Sequence, residues 1–99
     1  MEIKIQSIHF DATEKLQAFI EKKVAKLEKS FEEIKKVEVQ CKVVKPATAQ
    51  NKEVSLTVSV PGNTLFVEKV SDTFEESTDL CVDSMKVQLQ KYKEKLRNR

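Results

Sequence analysis

Residues 54–70 read VSLTVSVPGNTLFVEKV, and this stretch decides the fold. Val54, Leu56, Val58 and Val60 alternate with Ser55, Thr57 and Ser59, the period-two pattern of a strand with one buried face. Pro61, Gly62 and Asn63 then supply turn chemistry, so residues 64–70 are predicted to return antiparallel. A hairpin with one apolar face needs a cover, and the flanking sequence provides it.

Upstream, Val37, Val39, Cys41 and Val43 alternate with Glu38, Gln40 and Lys42 as another strand. The segment KPATAQN at 45–51 joins it to the hairpin, and Pro46 ends it by removing a ladder donor. Near the start, Ile3 and Ile5, with Ile8 beyond them, alternate with Glu2, Lys4 and Gln6 as a short half-buried strand. Next, Thr13 or Asp11 caps a helix whose first turn carries Glu14. Its apolar face is Leu16, Phe19, Ile20, Val24, Leu27 and Phe31 at helical spacing. From Thr73 onward, Phe74, Thr78, Cys81, Val82, Met85, Leu89, Tyr92 and Leu96 mark one face of a long final helix.

The resulting order is β-α-β-β-β-α, an α+β fold. A right-handed crossover makes the first two strands parallel, and hairpins make the remaining pairs antiparallel. Each helix has one apolar stripe, so both are expected on the same face of a four-stranded sheet. Following the chain direction, the two helices run parallel and end at the same end of the molecule.

The 99 residues, 39% apolar and 34% charged, suit a single folded domain over 1–99 without linker or repeat. Cys41 and Cys81 fall at apolar positions without metal-ligand spacing, and His9 is the single histidine. Free thiols in a reducing compartment are therefore expected in preference to a disulfide. No run approaches the ~18 apolar residues of a membrane span. The strand pattern begins at once, leaving no room for a targeting segment, so a cytoplasmic location is expected.

Net charge is only +2, but it is unevenly placed. From Asp72 to Asp83 the final helix region carries Asp72, Glu75, Glu76, Asp79 and Asp83 and no base. From Ser84 on it carries Lys86, Lys91, Lys93, Lys95, Arg97 and Arg99 against Glu94 alone. On the first helix Lys15, Lys22, Lys26 and Lys29 fall within a stripe about 60° wide, with Glu14, Glu21 and Glu28 on the other flank. Lys23 lies at the apolar edge, where its methylenes can rest while the ammonium reaches out.

The plainer reading is that cations suit helix C-termini, at ~0.3–1 kcal/mol each. One or two would suffice for that, and the rest repel one another unless a polyanion meets them. Lysine is a point charge suited to phosphate rather than to base edges, and only Gln88, Gln90 and the terminal arginines offer base readout. Exposed aromatic platforms for single strands are missing, so shape-and-phosphate recognition of folded RNA fits best.

Residues 13–29, TEKLQAFIEKKVAKLEK, resemble the first helix of the ribosome hibernation-promoting factor family, also called ribosome-associated inhibitor or sigma-54 modulation proteins. Asp79-Leu80, Val82-Asp83, Gln88-Leu89 and Lys91-Tyr92-Lys93 are similar to its second helix, and the likeness covers essentially the whole chain. The resemblance implies a fold akin to double-stranded-RNA-binding domains, seated in the decoding channel of the small ribosomal subunit. There it would exclude messenger and transfer RNA and protect idle ribosomes during slow growth. Carried over by position, the implied RNA contacts are Lys22, Lys23, Lys26, Lys29, Lys86, Lys91 and Lys93. Ser84 and Val87 stand where the family commonly has basic residues, Lys86 replaces a usual Glu, Glu75 a usual Tyr and Thr78 a common Ile. The basic patch on this helix is correspondingly thinner. The chain resembles a short member, without the C-terminal domain by which long members pair ribosomes, and is expected to be monomeric when free.

Two other classes bear on these residues. The carboxylates at 72–83 could suggest an enzyme, but they follow helix spacing on an exposed face with no His partner or nucleophile. No catalysis, cofactor or metal is expected. A protein-interaction module would use Leu65, Phe66 and Val67 as a sticky edge; the expectation here is that Phe66 is partly buried beside its hairpin partner.

Overall fold

The computed structural model describes residues 1–44 and 49–97, so Pro46 and Arg99 lie outside the described residues. In chain order the elements are β1 (Glu2–Ile8), α1 (Glu14–Ala25), α2 (Leu27–Ser30), β2 (Lys36–Val43), β3 (Lys52–Val60), β4 (Asn63–Ser71) and α3 (Phe74–Arg97). The strands form one sheet in the order β1-β2-β3-β4, parallel between β1 and β2 and antiparallel thereafter. The α+β topology expected from the hydrophobic pattern is therefore the one observed, with the helices on one face.

Under the helices, Val37, Val39 and Cys41 of β2 face Val58, Leu56 and Val54 of β3 in direct register. All of these are buried, together with Ile20, Val24, Leu27, Met85 and Leu89 from the helices. Ile8 departs from the expected alternation. It pairs with Lys42, in phase with Lys4 and Gln6 on the face away from the helices, while Ser7 takes the core phase opposite Cys41. A two-residue side-chain period allows no other outcome once Ile3 and Ile5 point inward.

Thr13, not Asp11, caps α1: its Oγ1 accepts from the Leu16 N–H at 3.1 Å. Thr73 does the same for α3, accepting from the Glu76 N–H at 3.0 Å. The first helix is broken where the spacing predicts a continuous one. Around Lys26 the bonds tighten to three-residue steps, Lys26 N–H to the Lys23 carbonyl at 3.3 Å and Lys29 N–H to the Lys26 carbonyl at 3.1 Å. The chain then leaves the helix at Phe31 in an extended conformation, and the Phe31 ring lies 5.7 Å from that of Tyr92. Tyr92 in turn donates its hydroxyl to the Pro61 carbonyl at 2.7 Å, fastening the end of α3 to the β3–β4 turn. Gly62 sits in that turn at φ +81°, a conformation that costs glycine little.

Polar groups inside are paired. Ser77 Oγ donates to the Lys52 carbonyl at 2.6 Å and lies 2.7 Å from Ser71 Oγ. The fully buried Thr78 donates to the Phe74 carbonyl at 2.7 Å, which lets a hydroxyl occupy an apolar face. Both cysteines are free and fully buried. Burial pushes the Cys41 thiol up to about 11 and Cys81 up to about 12, so neither is a thiolate nucleophile at neutral pH.

The other sheet face carries Lys36, Glu38, Gln40 and Lys42 beside Ser59, Thr57, Ser55 and Glu53. Phe66 is on this face, paired with Thr57, and is 55% exposed. Its hairpin partner is a threonine on an uncovered face, so the burial is only partial and the ring is left more exposed than covered. Glu53 and Glu68 are diagonal neighbours here, since Ser55 pairs with Glu68. A hydrogen bond to Glu68 holds the Glu53 carboxyl above its usual 4.5, with burial adding to the shift. A raised folded value means stability that is complete below 4.5 and is lost as pH rises through the folded value. Glu53→Gln is therefore expected to flatten the pH dependence of melting just above 4.5. At neutral pH it should raise stability by a few tenths of a kcal/mol, because the pair is solvated. An unchanged melting profile across that range would show that Glu68 does not raise the Glu53 carboxyl.

Candidate nucleic-acid interface

In α1 the apolar stripe containing Ile20 and Val24 is buried, which turns Lys22 and Lys26 outward; both are exposed, as is Lys29 in α2. Lys23 fixes which flank faces the neighbouring helix. Its Nζ is 3.3 Å from Asp79 Oδ1 of α3 and 5.5 Å from the centre of the Phe19 ring. The lysine flank of α1 therefore borders α3, and Glu14 and Glu21 lie on the flank away from it, while Glu28, beyond the break, lines a shallow pocket with Lys29 and Glu32.

On α3 the residues in line with Asp79 are Lys86, Lys93 and Arg97, seven, fourteen and eighteen positions on, within about 40° of one another at 100° per residue. They form the second bank of the same groove. At its C-terminal end Lys29, Lys93 and Arg97 line one cleft together with Phe31 and Leu96. The break at Lys26 contributes to this, because it directs the α2 turn toward the end of α3.

Of the sequence-predicted positions, Lys29 and Lys93 are brought to one cleft, while Lys22, Lys26 and Lys86 are exposed on the helices that lead to it. Lys23 is at the floor of the groove, engaged by Asp79, and is the least free of the seven positions. Lys91 is five residues from Lys86, about 140° around the helix. It is on the side of Gln88, whose amide donates to the Phe66 carbonyl of β4 at 3.0 Å. Neither glutamine stands free for base readout, since the Gln90 amide reaches Glu94 at 3.4 Å. Two of the carboxylates at 72–83 have structural partners: Asp72, just before α3, accepts from the Gln50 N–H at 2.8 Å, and Asp79 holds Lys23. Among the described residues no group of His, Cys, Asp and Glu could hold a metal ion, and no helix is long and apolar enough to cross a membrane.

Comparison with known proteins gives these features a context. The family model described as Sigma 54 modulation protein / S30EA ribosomal protein matches residues 3–97. This chain belongs to that family. A ribosome hibernation promoting factor of Pseudomonas putida is 28% identical over 95 residues, covering 96% of this chain and 89% of the relative. A ribosome hibernation promotion factor of Picosynechococcus is 32% identical over 97 residues, and the chain spans 50% of its length. Among solved structures, a ribosomal subunit interface protein from Coxiella burnetii superposes with a TM-score of 0.84 at 27% identity, covering 94% of this chain and 98% of that one. The N-terminal domain of Thermus thermophilus Protein Y gives 0.80 at 20% identity, covering 93% and 99%, a likeness of fold. Both structures thus share the overall fold of this chain.

Proposed function

We propose that this chain is a non-enzymatic, reversible ribosome-binding factor that seats its two-helix cationic groove on ribosomal RNA of the small subunit. In the decoding channel it would compete with messenger and transfer RNA and so inhibit translation while ribosomes are idle. The observation that supports this reading is the meeting of Lys29 with Lys93 and Arg97 in one cleft, with Lys22, Lys26 and Lys86 exposed on the helices that lead to it. Membership of the S30EA family supports the ribosome as the partner. We propose that these residues act as a single ribosome-binding domain in the cytoplasm, monomeric when free and without cofactor or metal.

Exposed Phe66 favours a second reading, a protein-interaction module that works through the open sheet face. Salt separates the two. Binding through ~6 or more phosphates weakens by about 10³–10⁵ between ~50 and ~200 mM salt, whereas an apolar interface barely responds. Co-sedimentation with purified small subunits is expected to fall steeply over that range, and added transfer and messenger RNA should displace the protein. Salt-independent binding would transfer the function to the Phe66 face.

A further inference from the structure

The cleft at the end of the groove, about 390 Å³, contains more than cations. Glu32 and Glu33 line it beside Lys29, Lys93 and Arg97. Carboxylates there would oppose phosphate binding if phosphate were the whole ligand. They are not explained as partners for the cations: among the described residues the ion pairs are Lys23–Asp79 and Lys36–Glu38. Both glutamates are exposed acceptors, and Leu96, 36% exposed, gives the cleft an apolar wall together with Phe31. The volume is near the lower end of pockets that hold small ligands, roughly 300–1,000 Å³, enough for one nucleotide and too small for a duplex.

The geometry points to a binding site for a single unstacked guanosine of an RNA, with its phosphate on Lys29, Lys93 and Arg97 and its base against Leu96. A carboxylate accepts hydrogen bonds and donates none. Guanine presents two adjacent donors, N1–H and the 2-amino group, that match the two oxygens of one carboxylate; cytosine presents one amino group. Glu32 and Glu33 therefore supply base selectivity to an interface whose lysines supply only charge. This inference rests on the RNA-binding reading and specifies one subsite within it.

The test is titration of the isotopically labelled full chain with guanosine monophosphate and with cytidine monophosphate, followed by amide NMR. The guanine nucleotide is expected to shift residues 29–33 and 93–97 together and to bind about tenfold more tightly than the cytosine nucleotide. A hairpin RNA with one bulged guanosine should bind more tightly than either, and more tightly than the same hairpin with a bulged cytidine. Glu32→Gln with Glu33→Gln should strengthen phosphate binding and abolish the base preference, a split that mere loss of structure would not produce. Equal responses to the two nucleotides overturn the proposal, as does a hairpin that binds no better than the free nucleotide. Failure to co-sediment with small subunits would defeat the ribosome reading instead, leaving this titration unaffected.

Discussion

Replacing Lys22, Lys26 and Lys29 together by glutamate is expected to abolish co-sedimentation with small ribosomal subunits while leaving the fold in place. Each phosphate contact at ~0.1 M salt is worth about a factor of 8 through counterion release, so losing three costs roughly 10²–10³ in affinity. Charge reversal adds repulsion to that loss. The three side chains are exposed, and among the described residues none is in either ion pair of the chain. Their removal therefore exposes no core and strands no partner.

The structural cost is confined to the helix ends. Glutamate near a C-terminus meets the negative end of the helix dipole, at about 0.3–1 kcal/mol per residue. A companion variant with alanine at the same positions avoids that penalty and isolates the lost contacts. It should lose the same 10²–10³ in affinity, with a salt dependence about three contacts shallower. Triple variants that still pellet with the subunit at ~100 mM salt would remove the lysine bank from the interface.

How much of this was legible depends on the length scale of each signal. The hairpin at 54–70 and the helix stripes are short-range periodicities, so element order, strand pairing and the covered face followed from local pattern. Ile8 misled because its neighbours are isoleucines, and only the partner register assigns it to the outer face. The break at Lys26 carries no proline or glycine, and the apolar spacing runs through it. Its consequence, Phe31 placed against Tyr92, is a contact between residues far apart in the chain. The lysine lines could be drawn on helical wheels, but which flank faces the other helix depends on how each rod sits across the sheet. The Lys23–Asp79 ion pair answers that, and it also limits the freedom of a residue that spacing placed beside the free lysines. Ser77 was invisible as a core residue because its burial depends on the Lys52 carbonyl and Ser71, both distant in sequence or in another element.

Leu56→Ala is expected to act on the opposite part of the molecule and by the opposite mechanism. Leu56 is in the middle of β3, flanked in register by Val39 of β2 and Val67 of β4, and is completely buried. Truncating it removes the transfer energy of its methyl groups and leaves a cavity that two neighbouring strands cannot close without breaking their ladders. The loss should be about 2–5 kcal/mol, a large share of the 5–15 kcal/mol typical of a domain of this size. At 4–8 °C per kcal/mol, that corresponds to a melting temperature lower by roughly 10–40 °C. Phe66→Ala on the outer face of the adjacent strand is the internal control. It removes a larger side chain, yet the ring is more than half exposed and should cost no more than about 0.5 kcal/mol. Ribosome binding by Leu56→Ala, measured well below its melting point, should match the parent, because its damage is to the population of folded protein and not to the cationic groove. Equal melting of the two variants would show that the sheet face under the helices is not the core.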